Sequence, residues 1–313
     1  MRTLFLGSPP FATPVFRRLA NSEHRPLALI TPPDRPRGRG RVIEPSALVE
    51  AARELDVPVL QPANPHAPEF LAELRALAPE VLVVASYGVI MKRELLDLPS
   101  LCCLNVHASL LPRHRGASPI QAAIAAGDER TGVSVQRIVP ALDEGDVLLA
   151  RELVIGPEVN SGELLGALAE LGAEAAVEAL DRLADGSAEF TPQDPEHATY
   201  ARKLEKHQGR IDWSRPAVEL ARHVRAMTPW PGARFPWRKG QQVAVLEARA
   251  VDDLAGEPGT LLEAAPRMVV ATGAAGLELV SVAPPGKRPM SGPEFLRGAR
   301  LEPGQRLPDP VEG

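Results

Sequence analysis

Short apolar segments alternate with helical spacing through the first 185 residues, and this alternation constrains the fold more than any other feature of the chain. Residues 3–6, 27–30 and 102–107 are predicted strands, and residues 81–85 are apolar throughout, as in a strand that is buried on both faces. Apolar side chains at helical spacing predict a long helix over 161–185. Strands that alternate with helices are typical of an α/β domain, so we predict a doubly wound, mainly parallel, Rossmann-like sheet.

Two helix starts are predicted from capping residues. Thr13 precedes Pro14, which is the combination of a cap and a first-turn proline, and Ser46 precedes a helix that reaches about Leu55. Polar and apolar side chains alternate over residues 134–138, which predicts a further strand.

The chain changes in character after residue 185. Residues 186–205 are polar and contain prolines, which predicts a linker. Beyond them, short apolar runs are separated by glycine and proline, as in a small β-barrel with one helix at about 217–226. We therefore predict three parts: an α/β domain over 1–187, a linker over 188–205 and a smaller β-barrel domain over 206–313.

Charge is unevenly distributed in this chain, whose formal net charge is −5. Residues 201–250 have a formal net charge of +7, and the remaining residues have a formal net charge of −12. A second basic cluster, PDRPRGRGR at residues 33–41, contains prolines and glycines that predict an exposed loop. A basic region in an acidic protein indicates a polyanionic partner. On the charge distribution alone, a solvated surface on which basic residues cluster by chance is an equally good interpretation.

Several classes of chemistry are excluded because their motifs are missing. The only cysteines, Cys102 and Cys103, are adjacent, which excludes a disulfide framework and a cysteine-rich zinc site, and the histidines lack metal-ligand spacing. The opening turn lacks the dinucleotide-binding GxGxxG pattern, and the chain contains neither a GxxxxGKS/T phosphate loop nor a GxSxG nucleophile turn. No apolar stretch approaches the ~20 residues that span a bilayer. We therefore expect no metal and no membrane partner, and we expect a cytoplasmic location.

The strongest local signal lies where the predicted strand over 102–107 ends. Asn105 and His107 are two residues apart, so in a strand their side chains face the same side. Ligands bind at the carboxyl edge of a parallel sheet, and the amide of Asn105 and the imidazole of His107 are both able to donate hydrogen bonds there. The alternative is a hydrogen-bonded pair that only closes the strand.

An acidic turn, Leu142-Asp143-Glu144-Gly145, supplies a carboxylate that is able to orient an imidazole. Considered alone, this motif is better interpreted as an ordinary aspartate-glycine turn between two strands.

Together these motifs resemble the folate-dependent formyltransferase family. Its members share an Asn-x-His strand end followed by Ser-Leu-Leu-Pro, and an aspartate in a Leu-Asp-x-Gly turn. The resemblance implies that Asn105, His107 and Asp143 are catalytic. It also implies a folate-binding site at the same sheet edge, formed by Ser109, Leu110, Leu111, Pro112, Val89 and Ile90. For Val89 and Ile90, packing in the core is an equally good interpretation of the sequence.

Other segments resemble those members of the family that act on a tRNA. GSPPFATPVFRRL resembles their first strand and helix, GRIDWSRPA and PWPGA resemble signatures of an OB-like C-terminal domain, and MSGPEFLRGARL resembles their closing segment. The likeness implies a monomer that transfers a formyl group from 10-formyltetrahydrofolate to the α-amine of initiator methionyl-tRNA, without a metal. The basic residues that it implies as tRNA contacts are Arg35, Arg37, Arg39, Arg41, Lys203, Lys206, Arg222 and Arg225.

Two positions depart from the family pattern. Val139-Pro140-Ala141 stands where an acidic residue and a glycine are common, and His114 stands where tryptophan is frequent.

Three alternatives to this function are kept open. A formyltransferase for a small amine, such as an amino-sugar nucleotide or glycinamide ribotide, has the same catalytic set but has no use for the arginine loop. A non-catalytic RNA-binding protein is disfavoured by the intact set. A nicotinamide-dependent dehydrogenase is supported by the fold alone.

Overall fold

The structure is a computed structural model that describes residues 1–34 and 44–307. The predicted tRNA contacts Arg35, Arg37, Arg39 and Arg41 lie outside the described residues.

Two compact units make up the described chain. Unit 1 consists of Met1–Pro119, Arg130–Val154 and Leu165–Ala201, and unit 2 consists of Ile120–Glu129, Ile155–Leu164 and Arg202 onward.

Strands and helices follow one another along the chain. The strands are β1 (Thr3–Gly7), β2 (Pro26–Ile30), β3 (Val59–Leu60), β4 (Val81–Ala85), β5 (Cys102–His107), β6 (Arg115–Gly116), β7 (Arg130–Arg137), β8 (Val147–Val154), β9 (Tyr200–Ala201), β10 (Ala233–Pro236), β11 (Gln242–Val251), β12 (Leu261–Glu263), β13 (Val269–Ala271), β14 (Gly276–Ala283) and β15 (Met290–Ser291). The α-helices are α1 (Ala12–Ala20), α2 (Ala47–Glu54), α3 (Pro68–Ala76), α4 (Arg93–Leu96), α5 (Pro119–Ala126), α6 (Ser161–Asp185), α7 (Ala217–Met227) and α8 (Gly292–Ala299). Short 3₁₀-helices occur at Pro195–His197, Lys206–Gly209 and Arg238–Gly240.

Unit 1 is built on a mixed sheet whose order, within the described residues, is β3-β2-β1-β4-β5-β7-β8. The strands from β3 to β5 run parallel, whereas β7 and β8 are antiparallel. The chain proceeds outward from β1 to β2 and β3, and then returns to place β4 on the other side of β1. This reversal is the topological switch point at which open α/β sheets bind their ligands, beyond the carboxyl ends of the strands.

Alternation along the strands divides the core of unit 1 between two faces of the sheet. Leu4 and Leu6 of β1 belong to a buried cluster that also contains residues of α3. Phe5 points to the opposite face, where its ring packs edge-on against Phe16 of α1 with centroids 5.4 Å apart. Because β1 and β4 are buried along their whole length, the continuous apolar run at Val81–Ala85 is explained by burial on both faces.

One of the two predicted helix caps is correct. Ser46 is the N-cap of α2, and its hydroxyl accepts a hydrogen bond from the amide of Val49. The cap predicted at Thr13 is wrong, because α1 begins at Ala12 with Phe11 as its N-cap. The turn before α1 already supplies an acceptor for the amide of Thr13, since the carbonyl of Pro10 lies 3.2 Å from it.

The segment predicted as a linker is bonded into unit 1 over much of its length. Thr191 forms a bridge with Val147, and β9 pairs with β6 in a short parallel ladder. Residues up to Ala201 belong to unit 1, and Arg202 begins the last stretch of unit 2. The domain boundaries at 187 and 205 stay predictions.

Unit 2 contains an antiparallel sheet in the order β10-β11-β14-β13-β12, with β15 paired to β14. Helix α7 packs against β11 and β14. Phe235 of β10 is fully buried, and its ring contacts those of Trp213 and Phe295 at centroid distances of 5.9 and 6.3 Å. The predicted fold class, a Rossmann-like α/β domain followed by a smaller β domain, is confirmed. None of the helices in the described ranges is both long and apolar enough to cross a membrane.

The two cysteines offer a direct check on the packing of β5. Cys102 and Cys103 are free and buried. Burial raises the pKa of the Cys102 thiol, and burial raises the pKa of the Cys103 thiol to about 12. Because the thiolate is the reactive form, we expect both cysteines of the native protein to resist N-ethylmaleimide at mildly alkaline pH and to react fully once the protein is unfolded in guanidinium chloride. Intact-protein mass spectrometry counts the adducts, and rapid labelling of the native protein would contradict this packing.

Candidate active site

Strand β5 places Asn105 and His107 beside polar partners on β7. The two strands are antiparallel, with Asn105 opposite Gln136 and His107 opposite Ser134. Val106, between the two, points to the other face of the sheet, where its side chain approaches Gly172 of α6. The prediction that Asn105 and His107 face the same side of the sheet is therefore confirmed.

Asp143 joins these side chains although it lies 38 residues beyond Asn105 in sequence. Its Oδ1 accepts hydrogen bonds from Nδ2 of Asn105 at 3.3 Å and from Nε2 of Gln136 at 2.8 Å. Its Oδ2 accepts a hydrogen bond from the amide of Gly116 at 2.8 Å and lies 3.8 Å from Nδ1 of His107. Three donors thus fix the carboxylate, whose side chain is only 13% exposed, beside the imidazole.

The protonation of His107 can be assigned from its partners. Nε2 lies 3.0 Å from the carbonyl oxygen of His114. A carbonyl only accepts hydrogen bonds, so Nε2 carries a proton, and Nδ1 is the ring atom that faces the carboxylate of Asp143. The side chain of His107 is 6% exposed, which limits the access of bulk water to this pair.

Hydrogen bonds hold the Ser-Leu-Leu-Pro loop after β5 in place. The hydroxyl of Ser109 donates to the carbonyl of Arg113 at 2.6 Å. The hydroxyl of Ser134 donates to the carbonyl of Ser109 at 2.8 Å and accepts from the amide of Leu111 at 3.0 Å. Ser109 is completely buried, so it supports the loop, whereas Leu110, Leu111 and Pro112 are half-buried.

Val89 and Ile90 lie in the loop that follows β4, the parallel neighbour of β5. The carboxyl ends of β4 and β5 therefore share one edge of the sheet. Ile90 is 88% exposed and Val89 is 36% exposed, so the interpretation of the two residues as core residues is wrong. The carbonyl of Ile90 accepts a hydrogen bond from Nε2 of His66, which anchors the loop while the isoleucine side chain stays accessible.

The predicted tRNA contacts of unit 2 differ in their surroundings. Lys203 and Lys206 are exposed. Arg222 is half-buried, with its guanidinium close to Gly127. Arg225 donates a hydrogen bond to the carbonyl of Val159 at 3.0 Å, and burial lowers the pKa of its guanidinium. The two lysines therefore offer their charges to a partner more openly than the two arginines do.

Four residues of the site carry no prediction from the sequence. Gln136 and Gln193 contribute side-chain amides, Gly116 contributes its amide and His114 contributes its carbonyl. Neither glutamine had a signal in the sequence. Gln136 alternates with apolar residues in β7, as in a strand with one exposed face, yet it is 1% exposed in the structure, so its polar side chain requires a buried partner. Gln193 lies in a polar, proline-containing segment.

The two departures from the family pattern leave this arrangement intact. A methyl carbon of Val139 lies close to Gly145, and the amide of Arg137 donates to the carbonyl of Asp146 at 2.9 Å, so the turn that carries Asp143 is closed. At position 114 the backbone carbonyl takes part, through its bond to Nε2 of His107.

Comparison with known proteins gives the family. A model described as formyl transferase matches residues 1–180, and one described as formyl transferase, C-terminal domain, matches residues 203–300. A methionyl-tRNA formyltransferase from Roseiflexus sp. (strain RS-1) is 42% identical over 312 residues, 99% of this chain and 96% of the relative. The chain belongs to the methionyl-tRNA formyltransferase family. A second member of the methionyl-tRNA formyltransferase family, from Methylococcus capsulatus, is 44% identical over 308 residues, 98% of this chain and 99% of the relative.

A more distant likeness to a solved structure supports the fold. HypX from Aquifex aeolicus, solved in complex with tetrahydrofolic acid, is 21% identical with a TM-score of 0.62 over 100% of this chain and 50% of that chain. The family resemblance predicted from the sequence is confirmed, and the chain is an enzyme of the formyltransferase class.

Among the described residues, no group of three or more histidine, cysteine, aspartate or glutamate side chains is arranged to hold a metal ion.

Proposed function

We propose that this protein transfers a formyl group from 10-formyltetrahydrofolate to the α-amine of methionine on initiator tRNA, in the cytoplasm and as a monomer. The formyltransferase class follows from the family, and the identity of the acceptor is supported by relatives of that name that match almost the whole chain. The observation that carries the chemistry is the cluster of an amide, an imidazole and a carboxylate, in which Asp143 lies beside both Asn105 and His107.

The donor set suits a formyl group. When the amine attacks the formyl carbon, negative charge develops on the formyl oxygen, and donors placed at that oxygen lower the barrier. The Nδ2 of Asn105 has two hydrogens, of which one is bound to Asp143, so the second remains for the formyl oxygen. The half-buried Leu110, Leu111 and Pro112 and the exposed Ile90 provide apolar surface for a pterin at the same sheet edge.

His107 and Asp143 are suited to move the proton. The new bond joins the amine nitrogen to the formyl carbon, so that nitrogen loses a proton and the departing folate nitrogen gains one. Nε2 of His107 holds its proton in the bond to the carbonyl of His114, which leaves Nδ1 as the atom that exchanges a proton. A proton taken up at Nδ1 is stabilised by Oδ2 of Asp143, 3.8 Å away. No covalent bond between enzyme and formyl group is needed.

The basic residues supply affinity for the tRNA. Phosphate contacts by lysine and arginine are independent of sequence and weaken as salt is raised. Lys203 and Lys206 are exposed in unit 2, and the arginines of residues 35–41 form the second basic cluster.

Replacement of Arg39 and Arg41 by alanine tests the acceptor. With purified protein, 10-formyltetrahydrofolate and charged initiator tRNA, we expect the double variant to lose about tenfold or more in kcat/KM for methionyl-tRNA. The salt dependence should also become shallower, because each lost phosphate contact reduces the slope by about one. The matched control replaces Arg18 and Arg53, exposed arginines on α1 and α2, and should retain wild-type activity. No formylation of charged tRNA by the wild-type protein, with turnover of an amino-sugar nucleotide or glycinamide ribotide instead, would refute the proposed acceptor.

A further inference from the structure

Gln193 makes contacts around the Asp143 turn that the proposed chemistry does not use directly. Its Oε1 accepts two hydrogen bonds from the guanidinium of Arg115, at 3.1 Å from Nε and 2.9 Å from Nη2. Its Nε2 lies 2.9 Å from the carbonyl oxygen of Asp143 and 2.7 Å from that of Gly145. The same nitrogen is 3.1 Å from Oε1 of Gln136.

The orientation of this amide follows from its partners. Guanidinium groups only donate hydrogen bonds and carbonyls only accept them, so only one orientation of the Gln193 amide satisfies both sides. Arg115 is itself fixed, because its side chain is 5% exposed and its Nη1 lies 3.1 Å from Oε1 of Glu144. The turn and the strand β6 are thereby bonded to one side chain.

Both the backbone and the carboxylate of Asp143 depend on these bonds. Gln193 binds the carbonyl of Asp143 directly, and it binds Oε1 of Gln136, whose Nε2 in turn donates to Oδ1 of Asp143. Asp143 has a φ of +52°, a left-handed conformation that a non-glycine residue keeps only where its surroundings hold it. Hydrogen bonds at both Asp143 and Gly145 supply such support.

We infer that Gln193 is a positioning residue for formyl transfer, which acts by holding the carboxylate of Asp143 against Asn105 and His107. The inference rests on the proposed function, because it requires that Asp143 take part in the reaction. Misplacement of a catalytic group by about 1 Å costs about 10²-fold in rate, so we expect the loss of a positioning partner to lower activity about 10–100-fold. Gln193→Ala removes the bonds, and Gln193→Glu keeps the shape but replaces the two N–H donors by an acceptor that faces two carbonyls.

A double-mutant cycle in kcat tests the inference. We measure formyl transfer at saturating substrates for the wild type, Gln193→Ala, Asp143→Asn and the double variant. We expect Gln193→Ala to lower kcat about 10–100-fold, with KM for both substrates changed by less than about threefold. Because Gln193 acts through Asp143, its replacement in the Asp143→Asn background should lower kcat by less than about twofold further. The matched control is Glu196→Gln, an exposed position in the same segment, which should leave kcat unchanged.

The outcomes separate the inference from the proposed function. If the two losses multiply, or if Gln193→Ala keeps the wild-type kcat, the positioning role is overturned while the role of Asp143 stands. If Asp143→Asn is fully active, the proposed chemistry fails and the inference fails with it. Should Gln193→Ala lack a cooperative unfolding transition, the isosteric Gln193→Glu replaces it in the same cycle with the same expected coupling.

Discussion

Replacement of His107 by alanine is expected to lower kcat for formyl transfer by about 10²–10⁴-fold, the usual contribution of a positioned general acid or base. In the proposed mechanism the ring supplies Nδ1, the atom that exchanges the proton and that lies 3.8 Å from Oδ2 of Asp143. The binding of tRNA should change little, because the basic residues proposed as its contacts are untouched. The measurement is initial-rate kinetics with methionyl-tRNA, with kcat and each KM determined separately.

A control distinguishes lost chemistry from lost structure. His197 is an exposed histidine of the same unit whose ring bonds only to Asp194 among the described residues, so His197→Ala should keep full activity. The unfolding free energy of His107→Ala should fall by about 1–3 kcal/mol, because the hydrogen bond between the buried imidazole and the carbonyl of His114 is lost. A folded His107→Ala protein whose kcat lies within about threefold of wild type would remove His107 from the mechanism.

Replacement of Gly145 by alanine is expected to lower kcat/KM by about 10²-fold without any change in the reacting side chains, because misplacement by about 1 Å is enough for such a loss. A Cβ atom at position 145 would stand 1.8 Å from the carbonyl oxygen of Arg137 and 2.8 Å from its carbonyl carbon. Both are backbone atoms of β7, so the turn itself has to move. That movement displaces Asp143, because the carbonyls of Asp143 and Gly145 both accept a hydrogen bond from the side-chain amide of Gln193.

The matched control is a glycine with free space around it. At Gly166, an exposed residue of α6, a Cβ atom would meet no heavy atom of the described residues within 4 Å apart from the backbone of its own helix. Gly166→Ala should keep wild-type kinetics and raise the unfolding free energy by about 0.5–1 kcal/mol through helix propensity. Kinetics and a denaturant titration of both variants make the comparison. A Gly145→Ala protein with unchanged kcat/KM would show that the position of the Asp143 turn is unimportant for the reaction.

The elements whose signals are local were predicted well from the sequence. The bounds of β4, β5 and α6 agree with the predicted ranges, because each is a continuous apolar or amphipathic stretch between residues that end it. The cap at Ser46 is equally local, since the hydroxyl and the amide it accepts from are three residues apart. Thr13 shows the limit: the backbone turn before it determines where α1 starts, and a cap pattern contains no information about that turn.

The candidate site also combines features that the sequence predicts with features that it does not. The sequence alone predicts that Asn105 and His107 share one face of β5, because side chains alternate along any strand. The association of Asp143 with Asn105 was expected only from the resemblance to a family, and the structure brings the two within 3.3 Å.

The tertiary structure alone decided what holds the carboxylate. Gln136 reaches Asp143 because β7 pairs antiparallel with β5, and Gln193 reaches the turn because β9 pairs with β6, and both pairings join segments that are distant in sequence. A glutamine in a polar, proline-containing stretch has no periodicity that marks it. Its inferred role comes from four buried or half-buried partners that only the folded chain collects around it. The residue types of the candidate site could therefore be predicted from the sequence and the family resemblance. The hydrogen bonds that position them depend on long-range strand pairing, which local sequence patterns do not encode.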